Sequence, residues 1–256
     1  RQCESCTAAM LSPYSELPSG ADAMGLSFLE PDELNEICSL LATDRFHIHM
    51  HAVGDRAVRE CLDGLAAART ANPRFAAVHQ IAHLDVVDPN DIPRFAALDV
   101  MANIQALWAR RDTEIIERKL PLLGPGRERW HFPFGSISAA GGALAMGSDW
   151  PVTDPNPLWA IHTAVNRTGS QSDPHAIGDE ARTVPLVREE ALSLRTAVDA
   201  YTIGAARAAH CADRSGSIEV GKDADLVALS GDITAVDDIG CLSARMTMVG
   251  GAVVAR

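Results

Sequence analysis

The sequence predicts an α/β fold in which a parallel, barrel-type sheet is covered by helices. Three observations carry this reading. Short β-compatible runs alternate with stretches of helical spacing, the connections between them are short, and three of the runs end at a side chain suited to a metal: His51, His83 and Asp149. Ligand-type residues at the ends of successive parallel strands are how such a sheet gathers a site at one rim.

The elements follow in order. In residues 31–41, Leu34, Ile37, Cys38 and Leu41 recur at helical spacing, and the acidic residues that open the segment suit a helix N-terminus. Residues 45–52 read as a strand stopped by Gly54, and residues 56–72 return to helical spacing through Val58, Cys61, Leu62 and Leu65. A second strand, 76–83, leads to Pro89 and a helix ending near Leu98. A third strand covers 100–104, and a helix over 134–140 precedes a fourth strand at 143–147. The connection 108–131 is long and polar, which predicts an elaborated loop over an active-site face. Beyond Asp149 the rhythm changes, with a helix expected over 188–204 and short, glycine-punctuated strands after Gly216.

Strand counting bounds the architecture. An eightfold barrel takes about 250 residues, yet only four barrel-type strands precede the change of rhythm. The sequence therefore predicts half a barrel, with a start that reads as a cut inside the catalytic domain. The expected division is a partial barrel over 1–210 and a small strand-rich domain over 211–256.

Composition excludes several classes of function. The chain has 256 residues, 47% of them hydrophobic and 22% charged, which is an ordinary globular composition with enough apolar material for a sizeable core. A net charge of -12 argues against nucleic acid or an anionic membrane as partner, because both reward clustered Lys and Arg. No apolar run reaches the roughly 20 residues that span a bilayer. Six scattered cysteines suggest no disulfide framework, so a reducing cytoplasmic setting is expected. Cys3 and Cys6 form a CxxC pair without the second half of a zinc site, and no metal or redox role is assigned to them.

Three histidines, His47, His49 and His51, alternate along one strand and share a face, and the one nearest the strand end, His51, is the candidate ligand. His47 and His49 are read as structural. His83 ends the next strand about one βα unit later, with His79 read as structural and Asp85 and Asp88 as acceptors behind the ligand or as helix caps. Asp149 sits in GSDWP, where the chain turns at a strand end. A carboxylate there can bind a divalent cation, take a proton from water and return it to a leaving group.

The segments FHIHMHAVGDRAV, IAHLDVVDPNDIPRFAALDVMANIQALWA, AMGSDWPV and GSIEVGKDADLVAL resemble, in this order, the amidohydrolase superfamily, and within it family 3 with its N-substituted formamide deformylase-like enzymes. The resemblance implies the C-terminal half of a TIM-type (β/α)8 barrel, about strands 5–8, joined to C-terminal strands of a small β-sandwich. It implies His51 and His83 as metal ligands on strands five and six, and Asp149 as metal ligand and catalytic carboxylate on strand eight. Gln105 and Trp108 fall where substrate contacts are expected. One or two divalent metals, zinc by preference, would serve hydrolysis of a carbon–nitrogen bond in a small amide or formamide. The family's first-strand His-x-His pair and fourth-strand lysine have no counterpart in the sequence, so the isolated chain is expected to be catalytically impaired. The competing expectations are a barrel that has lost its chemistry and a metal-dependent esterase or phosphoesterase. Self-association to cover an open sheet edge is also compatible with the sequence.

Overall fold

The computed structural model describes residues 2–15, 17 and 23–255. The chain divides into two compact units, Arg1–Ile104 with Thr113–Leu144, and Gln105–Asp112 with Ala145–Arg256.

The first unit alternates helices and strands: α1 (Pro31–Thr43), β1 (His49–Ala52), α2 (Asp55–Ala71), β2 (His79–His83), α3 (Ile92–Ala97), β3 (Val100–Ile104), α4 (Leu120–Leu123) and α5 (Phe134–Ala139). β1 pairs in parallel with β2, and β2 with β3, so that His49 lies beside Gln80 and His83 beside Ile104. β4 (Leu144–Met146) is fourth in the strand order, and the Ala102 N–H donates to the carbonyl of Ala143 just before it at 2.9 Å. The expected alternation of parallel strands and helices is present.

β1 starts at His49 rather than at residue 45. The Val78 N–H donates to His47 Nδ1 at 2.9 Å and the Ile48 N–H to His79 Nδ1 at 3.1 Å. Two imidazole nitrogens thus occupy backbone donors that a longer ladder would have used. His47 and His79 are structural, as expected.

α2 turns Val58, Leu62, Leu65 and Ala68 inward, and β2 is buried along its whole length. Leu62, Leu65 and Ile81 are fully buried, each stabilising the fold by roughly 1.5–3 kcal/mol. Gly64 lets α2 approach α1, since a Cβ there would stand 3.0 Å from Cys38 Sγ. Cys3 and Cys6 are buried free thiols packed with Met10, Tyr14 and Leu123.

The connection 108–131 is more ordered than a loop. A π-helical turn spans Glu114–Lys119, α4 follows directly, and Glu128–Trp130 forms a 3-10 turn. Ile115, Lys119 and Leu123 are buried, so the segment supplies core rather than a solvated excursion.

In the second unit, α6 (Pro157–Asn166) is capped by Asn156, whose Oδ1 accepts from the Leu158 N–H at 3.0 Å. The helix expected over 188–204 is interrupted. Arg188–Glu190 is a 3-10 turn, and Ser193 caps α7 (Leu194–Asp199), which continues through a π-helical turn into α8 (Ala205–Ala208). β5 (Leu226–Leu229), β6 (Ala244–Val249) and β7 (Ala252–Ala255) form an antiparallel sheet. Gly250 and Gly251, at φ 54° and 83°, make the two-residue turn between β6 and β7, where positive φ is required at both positions. Residues 217–221 form no strand; Ser217 and Lys222 close a turn there instead. Among the described residues no helix is long and apolar enough to cross a membrane.

Candidate functional site

In the first unit the site is built where β1 and β2 end. β1 passes through Gly54 into α2, and Gly54 is needed because a Cβ would stand 2.1 Å from the Ala9 carbonyl oxygen. That carbonyl accepts from the N–H groups of Arg56 and Ala57 at 3.1 and 3.3 Å, while Asp55 Oδ1 accepts from the Leu11 N–H at 2.8 Å. The HAVGD motif therefore clamps the segment around Ala9 against the end of β1. Asp55 is almost wholly buried, and that burial pushes its carboxyl above the usual carboxylate range.

The two candidate ligands meet. His51 Nδ1 lies 2.7 Å from His83 Nε2, with ring centroids 4.8 Å apart. Register alone forbids this. His51 sits beside Ala82 and Ala52 beside His83, so regular pleating sends the two imidazoles to opposite faces. The backbone resolves the conflict at His83 and Leu84, which adopt φ 79° and 56°, in the left-handed region that residues other than glycine rarely enter. That twist turns the His83 ring toward His51. Strain of this kind persists where surrounding structure over-determines it, and it clusters at functional sites. Here the Leu84 N–H donates to the Ala52 carbonyl at 3.0 Å and the Val86 N–H to that of Val53 at 3.0 Å.

His49 lies beside the pair, its ring 5.3 Å from that of His51. Burial and the neighbouring His51 lower its pKa, against a hydrogen bond with Gln80 that raises it. All three imidazoles line a cavity of about 580 Å³ walled on its apolar side by Leu26, Phe28 and Val53.

Asp85 and Asp88 are engaged by other groups. Asp85 accepts from Lys119 Nζ at 2.7 Å and lies 3.6 Å from His131 Nε2, and Glu4 Oε2 stands 4.0 Å from the same lysine. Asp88 closes a turn on the Asn90 N–H at 2.8 Å and pairs with Arg59 at 3.4 Å. Lys119, His131 and Glu4 escaped the sequence reading. A lysine in IIERKLPLL carries the pattern of a solvated face, and only its fold neighbours reveal the buried acid beneath it.

Asp149, in the second unit, also has a left-handed backbone, φ 56°, directly before the cis Trp150–Pro151 bond. The Val152 N–H donates to the Asp149 carbonyl at 2.8 Å and the Trp150 N–H to Ser148 Oγ at 3.2 Å, so the turn around the carboxylate is closed by its own chain. Gln105 is buried immediately after β3, and Trp108 is half-buried at the end of a 3-10 turn.

Two imidazole nitrogens converging on one point suit a divalent cation. Zinc–nitrogen bonds of about 2.0–2.1 Å in tetrahedral geometry place two ligand nitrogens about 3.3 Å apart, so the 2.7 Å pair would have to open by about 0.6 Å. Among the described residues no group of three or more His, Cys, Asp or Glu is arranged to hold a metal ion.

Residues 3–255 match the amidohydrolase family. Over 220 residues the chain is 32% identical to Protein LONG AFTER FAR-RED 3 of Arabidopsis thaliana, covering 85% of this chain and 35% of that protein. Over 212 residues it is 26% identical to N-substituted formamide deformylase of Arthrobacter pascens, covering 82% of this chain and 36% of that enzyme. An uncharacterized metal-dependent hydrolase from Pyrococcus horikoshii OT3 superposes with a TM-score of 0.74 at 25% identity, covering 93% of this chain and 44% of its own. The chain thus spans less than half the length of these relatives. A match over nearly every residue, with the strands that carry His51 and His83 inside it, shows that the chain belongs to the amidohydrolase family.

Proposed function

We propose that the chain carries part of the active site of a metal-dependent hydrolase that cleaves the carbon–nitrogen bond of a small amide or formamide. The observation that carries the reading is the 2.7 Å approach of His51 Nδ1 to His83 Nε2, achieved against strand register at the cost of a left-handed backbone. The relative named N-substituted formamide deformylase supports the choice of bond, and the Pyrococcus horikoshii structure named a metal-dependent hydrolase supports the metal.

In this reading His51, His83 and Asp149 hold a divalent metal, zinc by preference, in the C-terminal half of a TIM-type barrel over 1–210, with 211–256 as part of a small β-sandwich. A cation held there would supply Lewis acidity toward water and toward the carbonyl under attack. Asp149 takes a proton at its carboxylate and returns it to the leaving nitrogen. Gln105 and Trp108 contact the substrate. The apolar wall at Phe28 desolvates the site around the imidazoles. The substrate is a small molecule, and the cytoplasm suits the six free thiols.

The test is zinc-dependent stabilisation of the protein, followed by hydrolysis assays on amides, formamides, esters and phosphoesters. Zinc at about a hundred times its Kd stabilises a single-site protein by about 2.7 kcal/mol. His51→Ala and His83→Ala should each abolish that gain. A full zinc response in both variants sinks the ligand assignment, and turnover confined to esters or phosphoesters sinks the choice of bond.

A further inference from the structure

We propose that a second cavity, of about 410 Å³, formed in the second unit by Trp150, Val152, Asp154 and Asp173, binds the variable group of the substrate, admitting neutral or cationic apolar groups and rejecting carboxylates. This rests on the hydrolase reading above and specifies its substrate class.

The cavity adjoins Asp149 through one turn of chain. The bond from the Val152 N–H to the Asp149 carbonyl, 2.8 Å, and that from Thr153 Oγ1 to the Ser148 carbonyl hold its wall to the segment carrying the carboxylate. A volume of this size suits a group of drug-fragment dimensions.

Its apolar side waits for contact. Trp150 is 69% exposed and Val152 66%, which is unusual for residues on a turn so firmly closed. An indole presented in this way stacks readily on a flat or aliphatic group and strengthens its hold on a cation.

Its polar side is acidic. Arg110 is the sole cation lining it among the described residues, and its charge is already countered. Its Nε donates to both oxygens of Asp112 at 2.9 and 2.8 Å, its Nη1 meets Asp173, and its Nη2 donates to the His175 carbonyl at 2.9 Å. Asp173 Oδ1 also accepts from the His175 N–H at 2.8 Å, so the floor is a closed ion cluster. Asp154 differs: its Oδ1 accepts from the Asn156 N–H at 2.8 Å, while its Oδ2 stands 3.8 Å from His175 Nε2, beyond hydrogen-bonding range. Within the lining, one guanidinium stands against the carboxylates of Asp154 and Asp173, which leaves the cavity negative, so an incoming carboxylate is repelled and an ammonium is attracted to Asp154. Substrates whose variable group carries a free carboxylate, such as N-acylated amino acids, are excluded on this ground.

The test uses three probes of one shape, 2-phenylethylammonium, 2-phenylethanol and 3-phenylpropanoate, titrated against the metal-free protein at low salt while tryptophan fluorescence is read. The ammonium should quench at the lowest concentration, the alcohol next and the carboxylate last. Trp150→Phe should remove most of the quenching. Asp154→Asn should erase an advantage of the ammonium over the alcohol of about fivefold, the scale of one partly exposed ion pair. Equal or tighter binding of the carboxylate, quenching that survives in Trp150→Phe, or no response to any probe overturns the proposal. Because the readout needs neither metal nor turnover, a protein that binds the probes in the predicted order while His51→Ala and His83→Ala keep a full zinc response overturns the metal-site reading alone.

Discussion

Lys119 Nζ donates to Asp85 Oδ2 at 2.7 Å, two residues beyond His83, with both side chains buried. The lysine comes from the segment that sequence patterning marks as a solvated loop, and it lies 5.5 Å from the Phe132 ring centroid. Burial would lower its pKa, and the carboxylates of Asp85 and Glu4 outweigh that and raise it. The same burial pushes the Cys3 thiol well up, which disfavours its thiolate.

Removing that lysine should therefore be costly. Lys119→Met leaves Asp85 buried without its cation, and breaking a buried pair from one side costs about 3–5 kcal/mol. Adding Asp85→Asn should recover a substantial part of the loss. Urea denaturation of the single and double variants measures both. A single variant as stable as the parent would show that the pair contributes nothing.

The left-handed backbone at His83 makes an unusual prediction about glycine. In an ordinary strand glycine is worse than alanine by roughly 0.5–1 kcal/mol. At φ 79° the order should invert, with His83→Gly more stable than His83→Ala by about 1 kcal/mol. Alanine as the more stable of the two would mean that the strain is not real.

His79 predicts an acid limb in stability. Burial pulls its pKa from 6.5 down to about 4, with Arg69 and His47 adding to the effect. Between those values the unfolded chain binds a proton that the folded chain refuses, so stability rises with pH. The contribution is present above pH 6.5 and is lost as pH falls toward 4, by about 3 kcal/mol in all. His79→Gln, which keeps an acceptor for the Ile48 N–H, should flatten that limb. An unchanged pH profile in the variant would exclude His79 as its source.

Asp99 offers a gain in stability. It follows α3 with φ 50° and an exposed side chain, the position where glycine closes a helix without steric strain. Asp99→Gly should stabilise by about 0.5–1 kcal/mol. The 3.5 Å contact of its carboxylate with Arg69 is too exposed to offset this, and Arg69 keeps its bonds to the carbonyls of Leu98 and Asp99. A drop in melting temperature would refute it.

The sequence by itself determined the alternation of helices and parallel strands, the residues 100–104 of β3, the buried stripe Val58–Leu62–Leu65 of α2, and the placing of His51 and His83 at the ends of neighbouring strands. These are legible because period and local turn chemistry act over a few residues, and because consecutive parallel strands bring their ends together whatever their neighbours do. Tertiary structure alone decided where β1 begins, since that depends on His47 and His79 capturing donors from adjacent strands. It alone showed that His83 must twist to reach His51, because pleat parity is a property of paired strands and not of either one. It alone moved Lys119 from solvent to core, because the cost of burying a charge is met by an acid 34 positions away in the chain, and no pattern local to the lysine encodes that partner.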